Sequence, residues 1–186
     1  MRNYSIVESA PYCCVPSCIE MVLRRHGYNE VTQYDIANFI GIYALRDNDV
    51  TLPKELINIE YTSDLNMVGT HLYRDTLNNC FEFFKLPFKE TYIHWNEISD
   101  YNIEALLLAI SDEHDAILFL DFGYLFHEKN DLGIGHAVIF SSLNEKGDVS
   151  FVNPGPGFIG EGQASSDEVY YAIRARLGGI SVISRK

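Results

Sequence analysis

A chain of 186 residues that is 47% hydrophobic and 22% charged can build one real core, or at most two small lobes sharing an interface. Its net charge of −12 disfavours nucleic acid as a partner, because phosphate is met by clustered Lys and Arg. No apolar run approaches the roughly 20 residues of a membrane-spanning helix. The segment Met1-Arg2-Asn3-Tyr4 lacks the apolar core of a secretory signal, so a cytoplasmic protein is expected. Cys13, Cys14 and Cys18 crowd together and only Cys80 stands apart, which is no disulfide framework; reduced thiols are expected.

In chain order, the first half reads as mainly helical. Apolar residues at Val15, Cys18, Ile19, Val22 and Leu23 predict an amphipathic helix stopping at Gly27, with Pro16 tolerated in its first turn. Thr32-Gln33-Tyr34-Asp35 resembles a capping box with Asp in place of Glu, and opens a second helix running to Gly41. Residues 43–71 carry no clear period. A third helix is predicted over Asp75–Lys85, ending before Pro87, and a fourth over about Tyr101–Ser111.

The second half turns to strands. Ala116–Phe122 is a β-rich apolar run, and Gly135–Ser141 and Val149–Asn153 form a predicted hairpin around Asn144–Gly147. Ser165 or Ser166 caps a short helix ending at Arg176, and Gly179–Ser184 reads as the last strand. Helices first and antiparallel strands afterwards predict an α+β fold, a single domain over 1–186. Its helical half, about 1–112, packs on a β half, about 113–186, with a cleft between them.

The chemistry concentrates at three places. Cys14 enters the first helix, where the N-terminal partial charge favours a thiolate, and a nearby imidazole would add to that effect. Cys18 and Cys80 are read as small buried hydrophobes. In the hairpin, any even number of residues between Leu143 and the returning strand puts His136 and Asn153 on one sheet face. The Asn153 carbonyl can then accept from one imidazole nitrogen and hold the other toward a thiol. His127 is the alternative base. Cys13, Cys14 and Cys18 lack a distant Cys/His pair, so neither metal nor cofactor is expected.

Together Cys14-Val15-Pro16-Ser17-Cys18-Ile19, Gly135-His136-Ala137-Val138 and Val152-Asn153-Pro154 resemble the motifs of papain-like cysteine peptidases, in particular bacterial domains related to double-glycine leader peptidases. The resemblance implies a papain-like fold and a nucleophile, base and orienter at Cys14, His136 and Asn153. It implies thiol-dependent hydrolysis of a peptide or isopeptide amide, with a peptide or protein as substrate. Glu8 stands where the family carries a Gln that donates to the oxyanion, so the resemblance places the oxyanion hole at Glu8 and Cys14. An ionised carboxylate has no donor. Glu8 therefore keeps one other outcome open, a catalytically weak or inactive module that binds peptide in the same cleft; separately, transfer of the same acyl-enzyme to an amine gives an acyltransferase.

Overall fold

The computed structural model describes residues 2–46, 50–72, 75–110, 112–128 and 133–186. The first helix, α1 (Cys14–Arg25), buries nine of its twelve residues and begins at the nucleophile candidate itself. Arg24 and Arg25 close its last turn, where cations offset the helix dipole. Gly27, at a positive φ, lets the Tyr28 N–H reach back to the Leu23 carbonyl and end the helix. The capping box predicted for α2 (Gln33–Ile40) is present: the Thr32 hydroxyl accepts from the Asp35 N–H, and the Asp35 carboxylate accepts from the Thr32 N–H.

Two short strands, β1 (Ile42–Leu45) and β2 (Ile59–Thr62), pair in parallel within the stretch that carries no sequence period. The third helix, α3 (Thr76–Phe83), is followed by a strand that the helical pattern hid, β3 (Phe88–His94). Then come α4 (Ile103–Ala109), β4 (Asp115–Asp121), a single helical turn α5 (Phe122–Leu125) and the hairpin β5 (Gly135–Leu143) and β6 (Asp148–Asn153). An edge strand β7 (Gly160–Ser165) precedes α6 (Ser166–Arg176), for which Ser165 and Glu168 form the capping box, and β8 (Gly179–Arg185) ends the fold. The predicted fourth helix stops short of Ser111, which lies outside the described residues, as do residues 129–131 of the loop after α5.

One six-stranded antiparallel sheet, in the order β3-β8-β4-β5-β6-β7, organises the molecule. It takes one strand, β3, from the first half of the chain. Alternate residues of its strands feed two apolar layers, as a two-residue period requires. Ile117, Ile139 and Ile183 face α1 and α3, while Leu118, Val138 and Ile180 face α4 and α6. The fold is thus α+β, with helices on both faces of the sheet. The extended N-terminal segment crosses it, tied by the Ser9 N–H to the Pro154 carbonyl and by the Tyr4 hydroxyl to Asp115.

Asp115 is a buried charge with three side-chain partners. Besides Tyr4, it takes Arg25 Nη1 on Oδ1 and His26 Nε2 at 2.7 Å on Oδ2. These contacts fasten the C-terminal end of α1 and the N-terminal segment to the first residue of β4. The opposite end of α1, which carries Cys14, is thereby held against the sheet.

Candidate active site

The Cys14–Cys18 spacing has a direct structural reading. Beyond Asn153 the β6 strand no longer covers β5, and α1 takes its place beside Ala137. The Ala137 N–H hydrogen-bonds to the Cys14 sulfur, and the Cys18 thiol donates to the Ala137 carbonyl at 3.5 Å. Two thiols one helical turn apart thus satisfy both main-chain groups of one strand residue. Cys18 is fully buried, as the sequence predicts, whereas Cys14 stays half-exposed in a cavity of about 800 Å³ that His136 also lines. Gly69, Leu77, Tyr92 and Phe119 form other parts of its wall.

His136 follows Gly135, against which the Arg176 side chain packs. A Cβ there would lie 2.7 Å from Arg176 Nε. The Arg176 guanidinium donates to the Gly133 and Asn66 carbonyls, tying the start of β5 to the turn at 65–67. The His136 ring is 5% exposed and meets Phe122 edge-on at 5.2 Å, with Phe126 at 6.0 Å. Both phenylalanines come from α5 and its C-cap. Asp121 holds that turn, accepting from the Tyr124 N–H at 2.8 Å and from the Gly133 N–H at 2.6 Å.

His136 Nε2 lies 2.7 Å from Asn153 Oδ1. The surroundings of Asn153 fix the orientation of its amide without reference to the imidazole. Its Nδ2 donates to the Phe158 carbonyl at 2.6 Å and the Pro156 carbonyl at 3.5 Å, and its Oδ1 accepts from the Gly155 N–H at 3.2 Å. The oxygen therefore faces the ring, Nε2 carries the proton, and Nδ1 keeps a lone pair. A neutral imidazole in this tautomer is a base through Nδ1.

The sequence led us to expect a Cys14 thiol with a lowered pKa. Burial instead raises it, and the N–H groups of Ala137, Val15 and Cys14 oppose that rise only in part. Burial also pushes His136 down to about 4, against the opposing effect of the Asn153 bond. Burial thus favours the neutral thiol at Cys14 and the neutral imidazole at His136. Cys13 and Cys80 are pushed up to about 12 by burial, and Cys18 rises well above the usual thiol range, from burial and from the neighbouring Cys14. Cys14 is the half-exposed member of the four.

Glu8 is placed elsewhere. Its side chain is exposed and does not line the cavity; its main-chain carbonyl accepts from Gln33 Nε2 at 2.9 Å. Gln33 in turn accepts from the Ala10 N–H and the Ser17 hydroxyl, so this buried amide braces the segment leading into α1. His127, the alternative base, is largely exposed, sits 3.3 Å from Glu168 and does not line the cavity. The residues that sequence reasoning missed are Asp121, Phe122 and Phe126; an Asp directly before a short helical turn was the available sign. Among the described residues, no group of three or more His, Cys, Asp and Glu side chains is arranged to hold a metal ion. No helix among them is long and apolar enough to cross a membrane.

The fold has a counterpart among solved structures. A crystal structure from Bacillus anthracis, described as a candidate C39-like peptidase, superimposes with a TM-score of 0.62 over 100% of this chain and 97% of that one, at 14% sequence identity. No protein-family model and no curated protein sequence matches the chain. The fold is papain-like.

Proposed function

We propose that the chain is a thiol-dependent peptidase or amidohydrolase acting through Cys14, His136 and Asn153. The observation that carries this reading is the His136–Asn153 bond, with the carboxamide oriented from its far side and Nδ1 left free as a base. The Ala137 N–H on the Cys14 sulfur brings the next residue of the same strand to the nucleophile.

In this reading a peptide carbonyl enters the cavity beside Cys14. The thiol proton passes to His136 Nδ1 as the sulfur forms its bond to the carbonyl carbon. Asn153 Oδ1 stabilises the resulting imidazolium through Nε2–H. The oxyanion is met by the Cys14 main-chain N–H at the start of α1, where helix N–H groups have no intrahelical partner. Collapse breaks the C–N bond, and the leaving amine takes the proton from His136, giving a thioester and a free amine. Water, deprotonated by the same imidazole, then releases the acid and restores the thiol. Because the resting pair is neutral, proton transfer and attack are coupled, with no preformed thiolate–imidazolium pair.

A second reading has its own observation. A raised thiol and a lowered imidazole also suit a module that binds peptide without cleaving it. Incubation with a complex peptide pool and mass-spectrometric detection of new termini separates the two. Cleavage that disappears in Cys14→Ala is expected. The absence of new termini, or their persistence in Cys14→Ala, overturns the peptidase reading.

A further inference from the structure

The hairpin that carries His136 and Asn153 does not close with the parity that the sequence suggests. Asn144 pairs with Asp148 through its N–H, so the connection is the three-residue Glu145–Gly147, and Leu143 faces Val149. Continued without interruption, that ladder pairs Ile139 with Asn153. Asn153 then shares a face with Ile139 and Ala137, and a one-residue offset of this kind places its carboxamide on the side of the sheet away from His136. The structure avoids this by a bulge. Ser142 faces Ser150 and Phe140 faces Phe151, with Ser141 inserted between them. From there Ile139 pairs with Val152, and His136 and Asn153 fall on the same face in diagonal positions.

A bulge frees main-chain groups from the ladder, and here the N-terminal segment takes them. The Ser141 carbonyl accepts from Arg2 Nη1 at 3.1 Å and from the Arg2 N–H at 3.3 Å, while the Ser141 hydroxyl donates to the Arg2 carbonyl at 3.1 Å. The rest of the guanidinium is equally committed. Nε donates to the His114 carbonyl at 2.9 Å, Nη2 to the Ile110 carbonyl at 2.8 Å, and the group lies 4.9 Å from the centre of the Phe140 ring. Arg2 is 5% exposed, so these bonds form away from water, where an unmet carbonyl is costly.

We propose that Arg2 and Ser141 are positioning residues: by pinning the bulge, they select the register in which Asn153 meets the His136 ring. This rests on the reading of His136 and Asn153 as base and orienter. Its distinctive consequence is epistatic. Deleting Ser141 makes Phe140↔Phe151 and Ser142↔Ser150 consecutive pairs, so no extra residue needs housing and Arg2 becomes dispensable to the pair.

The test is the exchange with water of the His136 Nε2 proton, followed by nitrogen-15 NMR of the folded chain. Wild type and the Ser141 deletion are expected to exchange slowly. Arg2→Ala is expected to exchange about tenfold faster or more, and Arg2→Ala combined with the deletion to return to slow exchange. Slow exchange in Arg2→Ala, fast exchange in the deletion alone, or fast exchange in the combined variant each overturns the proposal. Should Arg2→Ala not fold, Arg2→Lys carries that arm with the same two outcomes, because an ammonium lacks the planar fork that reaches three carbonyls. The signal needs no turnover. A chain that cleaves nothing yet shows this pattern fails as a peptidase while the register proposal stands.

Discussion

Lowering the pH from about 7 to about 4.5 should destabilise this fold in part through one buried ring, that of His136. His136 is held neutral in the folded chain, pushed from its ordinary 6.5 down to about 4, chiefly by burial. The unfolded chain therefore binds a proton through this interval that the folded chain refuses. The stabilisation from keeping His136 neutral is complete above about pH 6.5 and falls away as the pH drops toward about 4. In full it amounts to about 3 kcal/mol, of which about 2 kcal/mol is lost by about pH 4.5. His136→Gln keeps a donor for Asn153 and removes the titration. Urea unfolding of both proteins at the two pH values isolates the effect, since the other titrating groups are common to both and cancel in the difference. Wild type should lose about 2 kcal/mol more than His136→Gln. An equal loss in the two proteins would show that His136 titrates near its ordinary value and refute the account of a buried neutral base.

Three further outcomes follow. Iodoacetamide on the folded chain near neutral pH should modify Cys14 ahead of the three buried thiols, at a rate that climbs about tenfold per pH unit through the range 7 to 9, without the plateau of a preformed thiolate; peptide mapping reads both features. Glu8→Gln should leave any hydrolysis within about twofold of wild type with an unchanged pH profile, because Glu8 is exposed and off the cavity wall; a large gain would bring it back into the oxyanion site. Asp115→Ala, which removes the carboxylate shared by Arg25, His26 and the Tyr4 hydroxyl, should cost about 3 kcal/mol and lower the melting temperature by roughly 10 °C, read by calorimetry.

The elements with a strong period or a capping signal were legible in the sequence. The Val15–Leu23 stripe and the Thr32 box found α1 and α2, and the Val-Ile-Phe run before Ser141 found β5. What stayed hidden has physical reasons. Strand β3 turns Glu90, Tyr92 and His94 toward the cavity, so it never alternates apolar with polar. Strand β7, Gly-Glu-Gly-Gln-Ala-Ser, is a sheet edge with little to bury. The β1–β2 pair, four residues a strand, is too short to leave a pattern, and β2 buries little. At the site, the sequence named His136 and Asn153, but parity counting passed over the bulge that brings them together. It also assigned Cys14 the charge balance of an exposed helix start. Burial of Cys14, and of His136 among aromatic rings from another part of the chain, reverses that balance.

The most direct measurement of the central claim is covalent trapping with a library of peptide vinyl sulfones, followed by intact-mass analysis and peptide mapping. One adduct, on Cys14, is expected, forming about 100-fold more slowly or worse in His136→Ala because the base that accepts the thiol proton is gone. An adduct on another thiol, or one that forms equally fast in His136→Ala, would contradict the assignment of Cys14 and His136 as nucleophile and base.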